Sequence, residues 1–288
     1  MRLELAGVMQ SRTEGACGDL LIGAELGAGR YGGVDPPRVI DAPSPVLVAA
    51  IDGFGPQDGP RASRLLAQLL VEGLAGPAPE GRLEGWRHRL IATLERADRR
   101  LFEAGRDSRG LLARLTLAII DRGLVVATVG EAASYVHRRG ALAKVSGHDG
   151  GGEILVVSGA LGPDDARFTR HDWLGLRAPM EGDFQILEPR RGDLLLLCTG
   201  AAIVADARRL PPLDPAHTAL PEICRQFVTH ATEDGSDTDA SCLAVRLSGD
   251  DLAEPDASEP PIAWRSTTSG LSLHGGLREL ERRMARAT

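Results

Sequence analysis

The stretch Val46-Leu-Val-Ala-Ala-Ile-Asp52-Gly53-Phe-Gly55-Pro-Gln57-Asp-Gly59-Pro-Arg-Ala62-Ser63 decides how the chain is organised. An apolar run ends in Asp-Gly, crosses a glycine-rich turn and continues into Arg-Leu-Leu-Ala-Gln-Leu-Leu. A run of that length bounded by turn residues is a strand buried on one or both faces. Gly53, Gly55 and Gly59 allow backbone conformations and close approaches that a side chain forbids. Asp52 stands rigidly at the strand tip. It reads either as a solvated loop charge or as a carboxylate set out to meet a cation.

Outward from this core, residues 62–73 carry Leu65, Leu66, Leu69 and Leu70 at helical spacing, and Gly76-Pro-Ala-Pro breaks the chain. A longer helix is expected over residues 83–103, with Trp86, Leu90, Leu94, Ala97 and Leu101 on one face and arginines on the other. Two successive helices between strands should cover one face of a sheet. Before the core strand, two short strands flank residues 11–19, and residues 27–45 read as a Gly- and Pro-rich connector. After the helices, residues 112–130 read as a hairpin turned at Asp121-Arg-Gly, and residues 134–142 as another turned at Gly140. Further strands are expected at 153–157, 184–187, 193–198 and 241–247, and helices at 201–209 and 221–232. Many antiparallel strands with helices in pairs define an α+β sandwich, not an alternating parallel fold.

Composition narrows the function. The chain has 288 residues, 43 % of them apolar, which is ample for a core, and only 3 % aromatic, so Leu, Val, Ala and Ile must build it. A net charge of −7 argues against nucleic-acid binding. No apolar run approaches the about 20 residues that span a bilayer, and the first residues lack the long apolar segment of a signal peptide. Cys17, Cys198, Cys224 and Cys242 show no Cys-x-x-Cys spacing, which argues against a disulfide framework or zinc site and for a reduced, cytoplasmic setting. His171, His217 and His230 lack zinc-like spacing, and Arg138-Arg139 read as solvated. Past Leu247 the character changes. Residues 248–261 are rich in Asp, Glu and Pro and read as a linker. Residues 275–287 form a short basic helix with Leu277, Leu280 and Met284 on one stripe, which either packs, frays or binds a partner.

The order of the landmarks resembles the metal-dependent PPM-type (type 2C) protein serine/threonine phosphatases. Asp52-Gly53-Phe-Gly55-Pro-Gln57 resembles the family's Asp-Gly-Met-Gly-Gly-His, and Gly59-Pro-Arg-Ala62-Ser63 its Gly-x-x-Ala-Ser. Ala127-Thr-Val-Gly130-Glu131 resembles Val-Gly-Asp-Ser-Arg, and Ala160-Leu161-Gly162 matches Ala-Leu-Gly. Arg191-Gly192-Asp193-Leu-Leu-Leu-Leu-Cys198-Thr199-Gly200 is similar to Pro-Gly-Asp-x-Leu-Leu-Leu-Cys-Ser-Asp-Gly. Asp237-Thr-Asp239-Ala240-Ser241 sits where the family writes Asp-Asn-x-Thr before its last strand. Each piece is weak alone, but six in order across about residues 8–247 are strong. The resemblance implies two packed antiparallel β-sheets flanked by helix pairs in residues 1–247, then the linker at 248–261 and a tail at 262–288.

It also implies a chemistry: two divalent cations, Mg²⁺ or Mn²⁺, held by oxygen ligands and activating a water that attacks phosphorus. Asp52 corresponds to the bridging aspartate and the Gly53 carbonyl to a further ligand. Asp19 corresponds to the aspartate closing the first motif, and Asp237 or Asp239 reaches the site with a one-residue shift. Four key positions are changed. Glu14 stands where the family has a phosphate-binding arginine, with Arg12 nearby as a substitute. Gly18 replaces a ligating glutamate and Gly200 a ligating aspartate, and Gln57 replaces the histidine proposed as general acid. Glu131 is either an exposed strand-end charge or a compensating carboxylate.

Three functions are thus expected. The first is a pseudophosphatase with a regulatory or binding role. The second is a specialised phosphoprotein phosphatase on a reduced metal site. The third is an interaction module recruiting a phosphoprotein or regulatory partner through the C-terminal helix.

Overall fold

In a computed structural model the chain is described at residues 1–11, 17–41, 45–54, 57–105, 111–146, 173–176, 181–200, 202, 213–215, 217–233, 239–255 and 271–272. The strands are β1 (Arg2–Gln10), β2 (Asp19–Glu25), β3 (Arg30–Gly33), β4 (Arg38–Asp41), β5 (Val46–Gly53), β6 (Ala113–Ile120), β7 (Leu124–Val129), β8 (Ala132–Arg138), β9 (Ala141–Ser146), β10 (Glu181–Leu187), β11 (Leu194–Gly200), β12 (Ala240–Ser248) and β13 (Leu271–Ser272). The helices among the described residues are α1 (Gly59–Leu74), α2 (Leu83–Ala104) and α3 (Leu220–Glu233).

One sheet runs β4-β1-β12-β11-β8-β9; the other runs β10-β7-β6-β5-β2-β3, with the two-residue β13 at its β10 edge. Every described pairing is antiparallel. The layers follow from alternation along the strands, since successive side chains point to opposite faces. In β5, Leu47, Ala49 and Ile51 meet α1 and α2, whose buried faces include Leu66, Leu70, Trp86, Leu90 and Leu94. Val46, Val48 and Ala50 face the first sheet, against Leu195, Leu197, Leu243 and Val245. The far side of that sheet, with Leu194, Leu196 and Cys242, is covered by Ile223, Cys224 and Phe227 of α3. Helix pair, sheet, sheet, helix: strands covered on both faces are mostly apolar, as β5, β6 and β7 are apart from Asp52, Arg114, Thr116 and Thr128.

Three expectations change. The connector over residues 27–45 contains β3 and β4, edge strands of four residues whose side chains are mostly exposed, so they carry no apolar alternation. Arg138 is not solvated. Its guanidinium donates Nε to Asp193 Oδ1 and Nη2 to Asp193 Oδ2, both at 2.7 Å, and Asp193 is only 1 % exposed. The acidic stretch after Leu247 stays on the body at first: Leu252 is buried, the N-terminal amine donates to Asp251 at 2.8 Å, and Arg191 pairs with Glu254 at 3.1 Å. The strand at 153–157, the helix at 201–209 apart from the buried Ala202, and the C-terminal helix lie outside the described residues.

Candidate metal and phosphate site

The site lies at one end of the sandwich, where β2 begins and β5 ends. Asp19 and Asp52 are directly opposite in the β2–β5 ladder, and Asp52 is opposite Arg114 in the β5–β6 ladder. Asp19 is buried between the sheets, its Oδ2 accepting from Thr199 Oγ1 at 3.2 Å and from the Ser241 hydroxyl. The other oxygen, Oδ1, is buried with no hydrogen-bond partner. Asp239, just before β12, accepts from Ser11 Oγ at 3.2 Å and from the Gly18 amide at 3.4 Å. Ligand atoms of Cys17, Asp19 and Asp239 all lie within 4.8 Å of one another.

Crowding of negative charge shows in the protonation of these groups. Burial, then the Asp52 charge, raises the Asp19 carboxyl well above the ordinary carboxylate range, against the hydroxyl donors. Burial also raises Asp52, with Arg114 pulling the other way. Burial and the Asp19 carboxylate push the Cys17 thiol up to about 12.

Three glycines bring the motif ends together. The Gly53 amide donates to the Gly18 carbonyl at 3.1 Å. A Cβ on Gly18 would stand 2.1 Å from the Gly53 oxygen, and one on Gly59 would stand 2.4 Å from it. A side chain at position 18 is therefore closed off by backbone, and the Gly53 carbonyl lies against Gly18 and Gly59. Gly200, at the end of β11, has φ +54°, the left-handed region that glycine enters without strain.

The sequence-derived candidates separate accordingly. Asp19, Asp52, Gly53 and Asp239 come together. Glu131 is 61 % exposed at its side chain and pairs with Arg114. Gln57 is exposed in the turn before α1. Asp237, Arg12 and Glu14 lie outside the described residues. Sequence reasoning missed Arg114, which reaches Asp52 Oδ2 at 3.4 Å, bonds Glu131, and stacks 3.8 Å from the Trp173 ring centroid. Its one signal was a charge inside the apolar run Leu111-Leu-Ala-Arg114-Leu-Thr-Leu. Cys17 also went unread as a donor.

For a divalent cation the donors fit in part. The unpartnered Asp19 oxygen beside Asp239 and Cys17 suits one ion, with hard oxygens leading. A pair of ions is not matched: Gly18 and Gly200 bring no donor side chain, and Arg114 already engages Asp52.

The fold is that of the PPM-type serine/threonine phosphatases. The S. agalactiae serine/threonine phosphatase superposes with a TM-score of 0.63 at 17 % identity, over 85 % of this chain and 99 % of that one. The Mycobacterium tuberculosis serine/threonine phosphatase PstP/Ppp gives 0.60 at 20 % identity, over 86 % and 100 %. A PstP catalytic domain in complex with 2 manganese ions gives 0.59 at 19 %, again over 86 % and 100 %. No family model matches the sequence, and no curated protein matches it either. No helix of the described residues is long and apolar enough to cross a membrane.

Proposed function

We propose that this chain is a PPM-fold pseudophosphatase, a regulatory or binding protein that retains the phosphatase scaffold without its two-ion centre. The observation that carries this reading is Gly18. The position that the resemblance assigns to a ligating glutamate is filled by backbone contact with Gly53, and Gly200 leaves a second ligand position bare. Gln57, in place of the general-acid histidine, cannot protonate a leaving alkoxide. The partner is a phosphoprotein or regulatory protein in the cytoplasm, met through the tail at 262–288 beyond the domain and its linker. The test is turnover of p-nitrophenyl phosphate and phosphoserine or phosphothreonine peptides with Mn²⁺ or Mg²⁺. No turnover above the level of Asp52→Ala is expected. Activity abolished by Asp52→Ala would sink the reading, and a partner retained by a chain lacking residues 262–288 would remove the role of the tail.

One observation favours a second reading, a specialised phosphoprotein phosphatase on a reduced site. The buried, unpartnered Asp19 oxygen beside Asp239 and Cys17 is a place for one cation. Such an ion would neutralise the carboxylates and polarise a phosphoryl oxygen. Asp19 and Asp239 would hold it, Ser11 and Gly18 would orient Asp239, and Thr199 and Ser241 would orient Asp19.

A further inference from the structure

Arg114 is the group at the site that neither reading uses. It is a strand residue of β6, its side chain 11 % exposed, and its position is set three ways. The ladder places it opposite Asp52. Glu131, just before β8, takes Nη1 from the solvent side. The indole of Trp173 lies over the guanidinium, and Phe54 meets that indole edge-on with centroids 5.1 Å apart. Arginine suits such a place because its planar, delocalised charge serves two carboxylates and an aromatic face at once. A buried aspartate beside two other carboxylates is costly unless a positive charge meets it. Here the chain supplies that charge itself.

We propose that Arg114 is the built-in counter-cation of Asp52, holding the side of the site where the resemblance expects a bridging metal and keeping divalent ions off that carboxylate. A cation entering the site then meets only the Cys17–Asp19–Asp239 side, and Asp52 serves charge balance within the fold. The phosphatase-like scaffold is assumed, but nothing in the proposal depends on whether turnover survives.

The experiment is Mn²⁺ binding, followed by calorimetry and by the electron paramagnetic resonance of free Mn²⁺, on full-length wild type, Asp52→Asn, Arg114→Met and the double variant. Arg114→Met keeps an apolar stem under Trp173 while removing the charge. The expected result is that Arg114→Met binds Mn²⁺ about tenfold tighter or more, the scale on which groups around a metal tune its affinity. The double variant should lose that gain, and Asp52→Asn alone, which leaves Arg114 unopposed, should weaken wild-type binding without abolishing it. Should Arg114→Met fold poorly, the ion must replace the missing charge: Mn²⁺ should raise its thermal midpoint more than that of wild type. The proposal is overturned if Arg114→Met gains neither affinity nor Mn²⁺-dependent stability, or if Asp52→Asn alone abolishes Mn²⁺ binding. A failure of either kind leaves the turnover assays untouched, so the two readings fall separately.

Discussion

Asp19 and Asp52 are cross-strand partners, two carboxylates opposite one another at the tip of the β2–β5 ladder. Like charges directly opposite destabilise a sheet, and burial adds to the cost. The arrangement survives because hydroxyls take Asp19 and a guanidinium faces Asp52.

The raised Asp19 carboxyl makes stability depend on pH, with a definite sign. Folding raises its pKa, so above the ordinary carboxylate range the folded chain holds a proton that the unfolded chain has lost. Its contribution is fully present below that range and is lost as pH climbs through the raised value. Asp19→Asn, which can still accept from Thr199 and Ser241, should therefore be more stable than wild type at neutral pH in chelator. The gap should close in acid. Each kcal/mol gained would appear as about 2–4 °C in the midpoint. Thermal melts across pH check this, and an Asn variant no more stable at neutral pH would contradict it.

The two glycines at positions where the resemblance expects metal ligands should respond differently to a side chain. Gly18→Ala forces a Cβ to within 2.1 Å of a backbone oxygen and should cost about 1–3 kcal/mol or more. Gly200→Asp meets a left-handed φ of +54°, about 1–2 kcal/mol, and should fold. Urea unfolding of both variants reads the contrast; equal losses would mean that the close approach at Gly18 is not rigid.

The Arg138–Asp193 fork joins β8 to the start of β11 across a buried acid, and Arg190 donates its amide to the same carboxylate at 2.8 Å. Removing one partner of such a pair leaves an unmet charge, so Arg138→Met should cost about 3–5 kcal/mol. A double change that also makes Asp193 apolar should lose less than the sum of the single changes, because the pair acts as a unit. Additive losses in denaturant titrations would show that the fork contributes nothing as a pair.

Phe227 fills the layer between α3 and the first sheet, 5.9 Å from Tyr135 by ring centroids. Phe227→Ala should destabilise by about 3–5 kcal/mol. Metal binding at saturating folded protein should not change, since Phe227 packs on the outer face of the first sheet while Asp19, Thr199 and Ser241 meet between the sheets. A loss of Mn²⁺ affinity in this variant would show that the α3 layer reaches the site through β11 and β12.

What could be read from the sequence divides along physical lines. Strands covered on both faces declare themselves as apolar runs, and the α2 face chosen from spacing, from Trp86 to Leu101, is fully buried. Short edge strands such as β3 and β4 escape, because with exposed side chains they need no pattern. Asp52 was legible because Asp-Gly at a strand tip is a local signal. Arg114 was not, because its meaning comes from register with β5, a relationship between residues 62 positions apart (114 − 52). The Arg138–Asp193 pair hides for the same reason, with 55 positions between its members. The closure at Gly18 was invisible as well: the sequence shows a glycine where the resemblance expects a glutamate, and only the backbone shows that a side chain has no room there.

That closure bears on how a chain of this kind changes over generations. On the proposed reading, positions such as Gly200 and Gln57 would take an acid or an imidazole one substitution at a time. Position 18 is different, because the space a Cβ needs there belongs to the Gly53 backbone, which itself lies against Gly59. The turn between those two residues would have to be rebuilt first, with no gain until the later step. On the proposed reading, a two-ion centre is barred at one residue by backbone contact alone.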